Sequence, residues 1–158
     1  MDDPLLRIKI IMNHFSMCNM IDELSNQVDL DKDSRWMKVD NNISALPVML
    51  DVTHGSWVLF VKAKADSQML THYHTKPLYV LTVYGHWHYP EHSWEAKTGH
   101  FLFEVPGELH TPTFIEDTLL YSVVTGPIIY PGKNGDKITL QMFTPMFVQY
   151  KNIIKIWV

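Results

Sequence analysis

Apolar positions change their rhythm about a fifth of the way along the chain. Residues 1 to about 33 mix apolar positions (Leu5, Leu6, Ile8, Ile10, Ile11, Phe15) with a later acidic stretch, DELSNQVDLDKD, and follow no single period. This segment reads as a short helix or arm. From Trp36 onward, short β-branched and aromatic runs alternate with turn residues: VMLDV, GSWVLFVKA, LYVLTVYGHWHY, GHFLFEV, TLLYSVVTG and ITLQMF. Strands at roughly ten-residue intervals, with no helical pattern between them, predict an all-β sandwich or barrel rather than a parallel sheet. The expected organisation is an arm over 1–33 and one β domain over 34–158. Asn134-Gly135 is a hairpin signal, because both residues tolerate positive φ, and it is expected to join two late strands. No internal repeat or low-complexity segment is apparent.

Composition narrows the function classes. A chain of 158 residues, 46% hydrophobic and 19% charged, suits one globular domain with a core. A net charge of −4 offers no support for binding a phosphate backbone, so no nucleic-acid partner is expected. A single cysteine, Cys18, excludes an internal disulfide framework and a cysteine-rich zinc site, and fits a reducing compartment. The start, MDDPLLRIKI, lacks the form of a secretory leader, and no run of about 18 apolar residues occurs. The expectation is a soluble, cytoplasmic protein with no membrane partner.

The candidate chemistry lies in histidines. In THYHTKPLYVLTVYG, His72 and His74 fall on the same face of an extended strand. By themselves they are weak evidence for metal ligands and read more readily as two surface imidazoles. His110 follows a strand and a Pro106-Gly107 turn in GHFLFEVPGELHT. A second H-x-H, His86 and His88 in GHWHYPEHSW, reads as a strand edge with Trp87 and Tyr89 turned into the core. Trp57, Trp87, Trp94, Tyr79 and Tyr121 are expected to fill the interior and its interfaces.

These segments resemble the cupin superfamily, whose motifs are G-x5-H-x-H-x3,4-E-x6-G and G-x5-P-x-G-x2-H-x3-N. His72, His74 and Gly85 match the first motif; Gly99, Gly107 and His110 match the second. Val105 stands at the second motif's proline, with Pro106 one place later, and Phe114 replaces its asparagine. The resemblance implies a jelly-roll β-barrel in which His72, His74 and His110 converge on one metal ion. The motif's glutamate is missing, because Leu78 and Tyr79 occupy its positions. Three neutral imidazoles without a carboxylate would leave the full charge of the ion and open positions for a chelating substrate and dioxygen.

The chain is similar in more detail to 2,4'-dihydroxyacetophenone dioxygenase-like cupins. Their pattern H-Y-H-T-x-P, then G-x-W-x-Y-x-E-H-x-W, then A-x-x-G-x-x-x-x-E-x-P-G-x-x-H-T appears here as HYHTKP, GHWHYPEHSW and AKTGHFLFEVPGELHT. This likeness implies a mononuclear iron(II) dioxygenase that cleaves the carbon–carbon bond beside a ketone, with a small-molecule substrate and O2 as its partners. Zinc, nickel or manganese are the other metals such a site takes. Glu91 and Glu104 lie within the pattern and are the candidate catalytic residues, to orient a histidine or take a substrate proton; each also reads as an ordinary ion-pair or turn residue. The rival expectation is a non-catalytic zinc-binding sensor or scaffold similar to the cupin domains of ChrR-type anti-sigma factors. A homodimer is expected, because sheet edges need protection and the tail NIIKIWV is too apolar to trail in water.

Overall fold

A computed structural model describes residues 28–51 and 54–131 and the backbone of 139–141. The chain parts into two compact units, Met1–Asp31 and Lys32–Val158, and every strand belongs to the second. The arm or helix expected over 1–33 falls almost wholly outside the described residues, as does the tail NIIKIWV. The strands are β1 (Met37–Lys38), β2 (Ile43–Asp51), β3 (Ser56–Ala63), β4 (Ser67–Gln68), β5 (Tyr73–His74), β6 (Leu78–Tyr84), β7 (His86–His88), β8 (Glu95–Lys97), β9 (Phe101–Glu104), β10 (Thr113–Phe114), β11 (Thr118–Val124), β12 (Ile128–Tyr130) and β13 (Thr139–Gln141). Among the described residues no helix is long and apolar enough to cross a membrane.

The strands form a six-stranded sheet (β1-β2-β3-β11-β6-β9), a four-stranded sheet (β4-β10-β7-β8) and a three-stranded sheet (β13-β12-β5). All pairings are antiparallel, and the result is an all-β barrel of the jelly-roll type, as the resemblance implies. β12 and β13 pair across the Asn134-Gly135 signal, whose own residues are not among those described. Pro47, which has no N–H to donate, sits where β2 slips register against β3, and β1 reaches β2 only at Ser44 and Ala45.

Alternation along β6 turns Leu78, Val80 and Thr82 inward and leaves Tyr79, Leu81 and Val83 outside. Inward residues of both large sheets meet in one core: Ala45, Leu59, Val61, Val80 and Leu120 from the first, Trp87, Ala96 and Phe114 from the second. Tyr79, expected to fill the barrel, instead stands on the outer face beside Phe101 and Phe103, because its neighbours Leu78 and Val80 hold the inward phase. Gly85 makes the turn from β6 to β7 at φ +106°, and a Cβ there would lie 2.6 Å from the backbone of Asp117 and Thr118. No other residue fits both that φ and that approach.

Candidate metal centre

His72 and His110 face each other as an isolated antiparallel bridge, with N–H···O bonds of 3.0 and 2.9 Å in the two directions. The Gly107 N–H donates to the His74 carbonyl at 2.8 Å, which ties the turn before His110 to the strand that carries His74. The three imidazoles therefore meet inside the barrel, with centroids 4.7 to 5.3 Å apart. One ring nitrogen from each lies within 4.8 Å of the others, and all three residues are buried.

Backbone carbonyls fix two of the rings. His72 Nδ1–H donates to the Leu70 carbonyl at 2.7 Å, and the His110 ring is held likewise by the Glu108 carbonyl. Each anchor comes from two residues earlier in the chain, and each leaves Nε2 to face the cluster. Burial drives the charged form out of His74 and lowers its pKa to about 3, with the neighbouring imidazoles adding to the shift; burial likewise lowers His110 to about 4 and lowers His72. Neutral imidazoles are the form that binds a metal.

Glu104 changes the expected picture. Sequence reasoning put no carboxylate among the ligands, because Leu78 and Tyr79 replace the motif's glutamate, and named Glu104 only as a candidate catalytic residue. Yet Leu78 on β6 is the direct ladder partner of Glu104 on β9, and both are buried on the inner face. A carboxylate thus reaches the site from the adjacent strand. Its Oε2 lies 3.5 Å from His74 Nε2 and 3.3 Å from His110 Nε2, close but not aligned for hydrogen bonding. Its Oε1 accepts a short hydrogen bond from the Tyr89 hydroxyl, and the Tyr89 ring stacks on His110 at 4.4 Å. Burial raises the Glu104 carboxyl to about 7, the Tyr89 hydrogen bond opposing this shift and the Glu108 charge adding to it.

Four buried atoms at this spot have no hydrogen-bond partner among the described residues: His74 Nδ1 and Nε2, His110 Nε2 and Glu104 Oε2. Orphaned buried polar atoms are rare, since each costs about 1–3 kcal/mol. Three of them face one another, and a cation among them would satisfy all three. The three-histidine group can bind a metal ion.

Glu91 lies elsewhere. It is exposed and absent from the cavity wall, and its carboxylate accepts from Thr111 Oγ1 at 2.6 Å and from the Thr111 N–H at 3.2 Å. Its slight burial pushes its pKa up, but the hydrogen bonds from Thr111 outweigh this and lower it. It braces the chain beside His110 through Thr111, and its charge acts on the His110 imidazole. The second H-x-H also stays outside: Trp87 and Tyr89 are buried, while His86 and His88 are half-buried and His86 Nε2 meets Glu95 at 2.9 Å.

Beside the cluster lies a cavity of about 110 Å³, room for one small molecule. His72, His74, Tyr89, Glu104 and Tyr130 mark its polar end; residues such as Trp57, Leu59, Val61, Val80 and Leu120 form the rest. Sequence reasoning missed Tyr130, whose ring lies 5.4 Å from that of His72. It also missed Ser122, an inward residue of β11. Alternation within TLLYSVVTG was the one signal available for Ser122.

Comparison with known proteins agrees with this fold. The chain resembles an RmlC-like cupin from Ralstonia eutropha JMP134 at 29% identity and TM-score 0.69, over 80% of this chain and 86% of that one. An acetylacetone dioxygenase from Acinetobacter johnsonii has the same fold, at TM-score 0.70 and 17% identity, covering 81% and 93%. The anti-sigma ChrR of Rhodobacter sphaeroides, solved in complex with SigE, is similar at TM-score 0.52 and 13% identity, covering 58% and 49%. No curated protein matches the sequence. Residues 26–129 match the ChrR cupin-like domain, which covers most of the barrel described above, and the chain belongs to that cupin family.

Proposed function

We propose that this cupin is a mononuclear non-haem iron(II) dioxygenase that cleaves the carbon–carbon bond beside a ketone, in a 2,4'-dihydroxyacetophenone-like α-hydroxyketone or a related dicarbonyl. The observation that carries the reading is the group of inward-facing, partnerless ligand atoms at the wall of an apolar cavity. His72, His74 and His110 would hold the ion, and their neutral state suits that task. Iron, when bound, supplies a Lewis acid for the ketone oxygens and the redox capacity to use dioxygen. The apolar wall takes the body of the substrate and keeps water away from it. Glu104 Oε2 removes a proton from the carbon next to the ketone, which is the hydroxyl-bearing carbon of an α-hydroxyketone or the carbon between the carbonyls of a β-dicarbonyl. Its pKa near 7 suits proton transfer at neutral pH, and Tyr89 steadies its other oxygen.

Glu104 also favours a second reading. Three histidines and a carboxylate form a four-donor set, as a structural zinc site requires. The protein would then be a zinc-binding sensor or scaffold like the ChrR domain it resembles.

One experiment separates the two. Iron-loaded protein should consume one O2 per α-hydroxyacetophenone or β-diketone cleaved, releasing two carboxylic acids from the first or one acid and one α-ketoaldehyde from the second, and should ignore ketones that lack the second oxygen. Glu104→Gln should keep its iron and lower turnover by about 10²- to 10⁴-fold, the usual worth of a positioned base. The sensor reading prevails if no such compound drives oxygen uptake, zinc purifies with the protein and Glu104→Gln loses it.

A further inference from the structure

The outer faces of the two large sheets differ in kind. On the four-stranded sheet the outward positions are Gln68, His86, His88, Glu95, Lys97 and Thr113, all polar or charged. On the six-stranded sheet, alternation turns Tyr79, Leu81 and Val83 of β6 and Phe101 and Phe103 of β9 outward, and none of them carries a charge. Phe101 is 65% exposed and Phe103 51%. Register joins these side chains into rows that cross three strands: Tyr121, Leu81 and Phe101 form one, and Val123, Tyr79 and Phe103 the next. Core packing does not account for them, because the inward side of the same strands already supplies Leu78, Val80 and Leu102 to the interior.

β9 is also the last strand of its sheet. It pairs with β6 alone, so half of its backbone N–H and C=O groups point off the edge, and no other described strand takes them up. A lysine, a proline or a bulge commonly guards such an edge, and the run Phe101–Phe103 has none of these. Together with the exposed Val105, the outward side chains of β6 and β9 present roughly 500 Å² of apolar surface, since a whole aromatic side chain spans about 150–250 Å². That lies in the upper part of the range for the largest apolar patch on a monomer, about 300–600 Å². A polar rim in the proportion usual for homodimers, about one third of the whole, brings the area to roughly 800 Å² per copy, the standard size of a stable interface.

We propose that the outer face of β6 and β9 is the contact between two copies of this chain, related by a two-fold axis that sets Phe101 and Phe103 of each copy against the same face of the other. The homodimer expected from the sequence thereby gains a surface. A two-fold contact places like against like, which uncharged aromatic and aliphatic side chains tolerate, and the net charge of −4 is carried outside this face. The contact bears on the metal centre whatever its reaction. Phe103 and Glu104 are successive residues of β9, one turned out and one turned in, on a strand held from one side only. A second copy laid over Phe101 and Phe103 braces the strand that brings Glu104 to the histidines.

Sedimentation equilibrium of the full chain at micromolar concentration should give twice the chain mass. Phe101→Glu and Phe103→Glu put like charges into the contact, and each should raise the dissociation constant by more than about 30-fold, the worth of a central contact residue, while keeping the circular dichroism of the folded barrel. Lys97→Glu, on the polar face, is the control and should leave the mass unchanged. Hydrogen exchange of wild type reads the same contact without a variant: amides of 101–105 should exchange at least about tenfold more slowly in the dimer than on dilution to the monomer, and those of β7 and β8 should not change. A wild type of single-chain mass overturns the proposal and leaves the face to a partner of another kind. A dimer that survives both substitutions, or whose slowed exchange lies outside β6 and β9, overturns it in favour of a different surface.

Discussion

The chain holds two H-x-H pairs with the same spacing and opposite fates. His72 and His74 turn inward, 4% and 3% exposed, and meet a third imidazole across a bridge. At His86 and His88 the inward phase belongs to the residue between them, Trp87, whose Nε1–H donates to Thr82 Oγ1 at 2.9 Å inside the barrel. His86 is left to pair with Glu95 near the surface. Spacing sets only that two imidazoles share a face. Each pair encloses an aromatic residue, Tyr73 in one and Trp87 in the other, so which face the histidines share depends on what stands opposite in the next strand.

The largest effect should come from exchanging ligands between these pairs. Alanine at His72, His74 or His110 should lower metal affinity by more than about 100-fold, since loss of a residue that merely orients a ligand already costs 10- to 100-fold. His86→Ala should leave metal content as in wild type. Metal analysis of the purified variants checks this, and equal losses at His74 and His86 would abolish the distinction drawn here.

A second test uses acid on the metal-free protein, held in chelator. The folded-state pKa values of His74 and His110 lie below the ordinary 6.5, so the unfolded chain binds more protons at these residues and stability falls as pH drops from 6.5 towards 4. Glu104 acts in the opposite sense: its folded pKa is raised to about 7, so its contribution is lost as pH rises from 4.5 through 7. Two imidazoles outweigh one carboxyl, and the net loss between pH 6.5 and 4.5 should be on the order of 2 kcal/mol. Urea midpoints across that range measure it. His74→Phe, which keeps a ring but removes the titrating group, should flatten the slope.

The smallest effect is expected at Glu91, which braces the chain beside His110 through Thr111. Glu91→Ala should weaken metal binding by about tenfold, as for an outer partner of a ligand, and Glu91→Gln should recover part of the loss. Competition with a chelator of known affinity resolves a change of that size. Glu95→Ala, which removes the partner of His86, is the matched control and should change nothing.

The strands and the histidines were legible because each follows from a short local pattern. LYVLTVY alternates in the phase that the structure shows, and THYHT and GELHT sit at the spacing of a known motif pair. Phe114, standing at the motif's asparagine, is explained by its place in the core beside Trp87. Glu104 was visible as a candidate to orient a histidine, but the way it reaches the histidines was not. In FLFE a reader of hydrophobic pattern turns the two phenylalanines inward, whereas the structure exposes Phe101 and Phe103 and buries Glu104. The deciding fact is the pairing of β9 with β6, which no local window contains. Ser122 was hidden for a similar reason, since a serine in a strand declares neither its face nor its neighbours.

The pairing of Leu78 with Glu104 has a consequence for descent. The place beside the three histidines is a point on the inner wall, and two adjacent strands can both supply it. A lineage can therefore move its carboxylate from one strand to the next by two substitutions, passing through an ancestor with an acid on both strands or on neither. Searches that require the acid to follow the second histidine would overlook every descendant that had made the crossing. The reciprocal variant, Leu78→Glu with Glu104→Leu, would retrace that step in the laboratory.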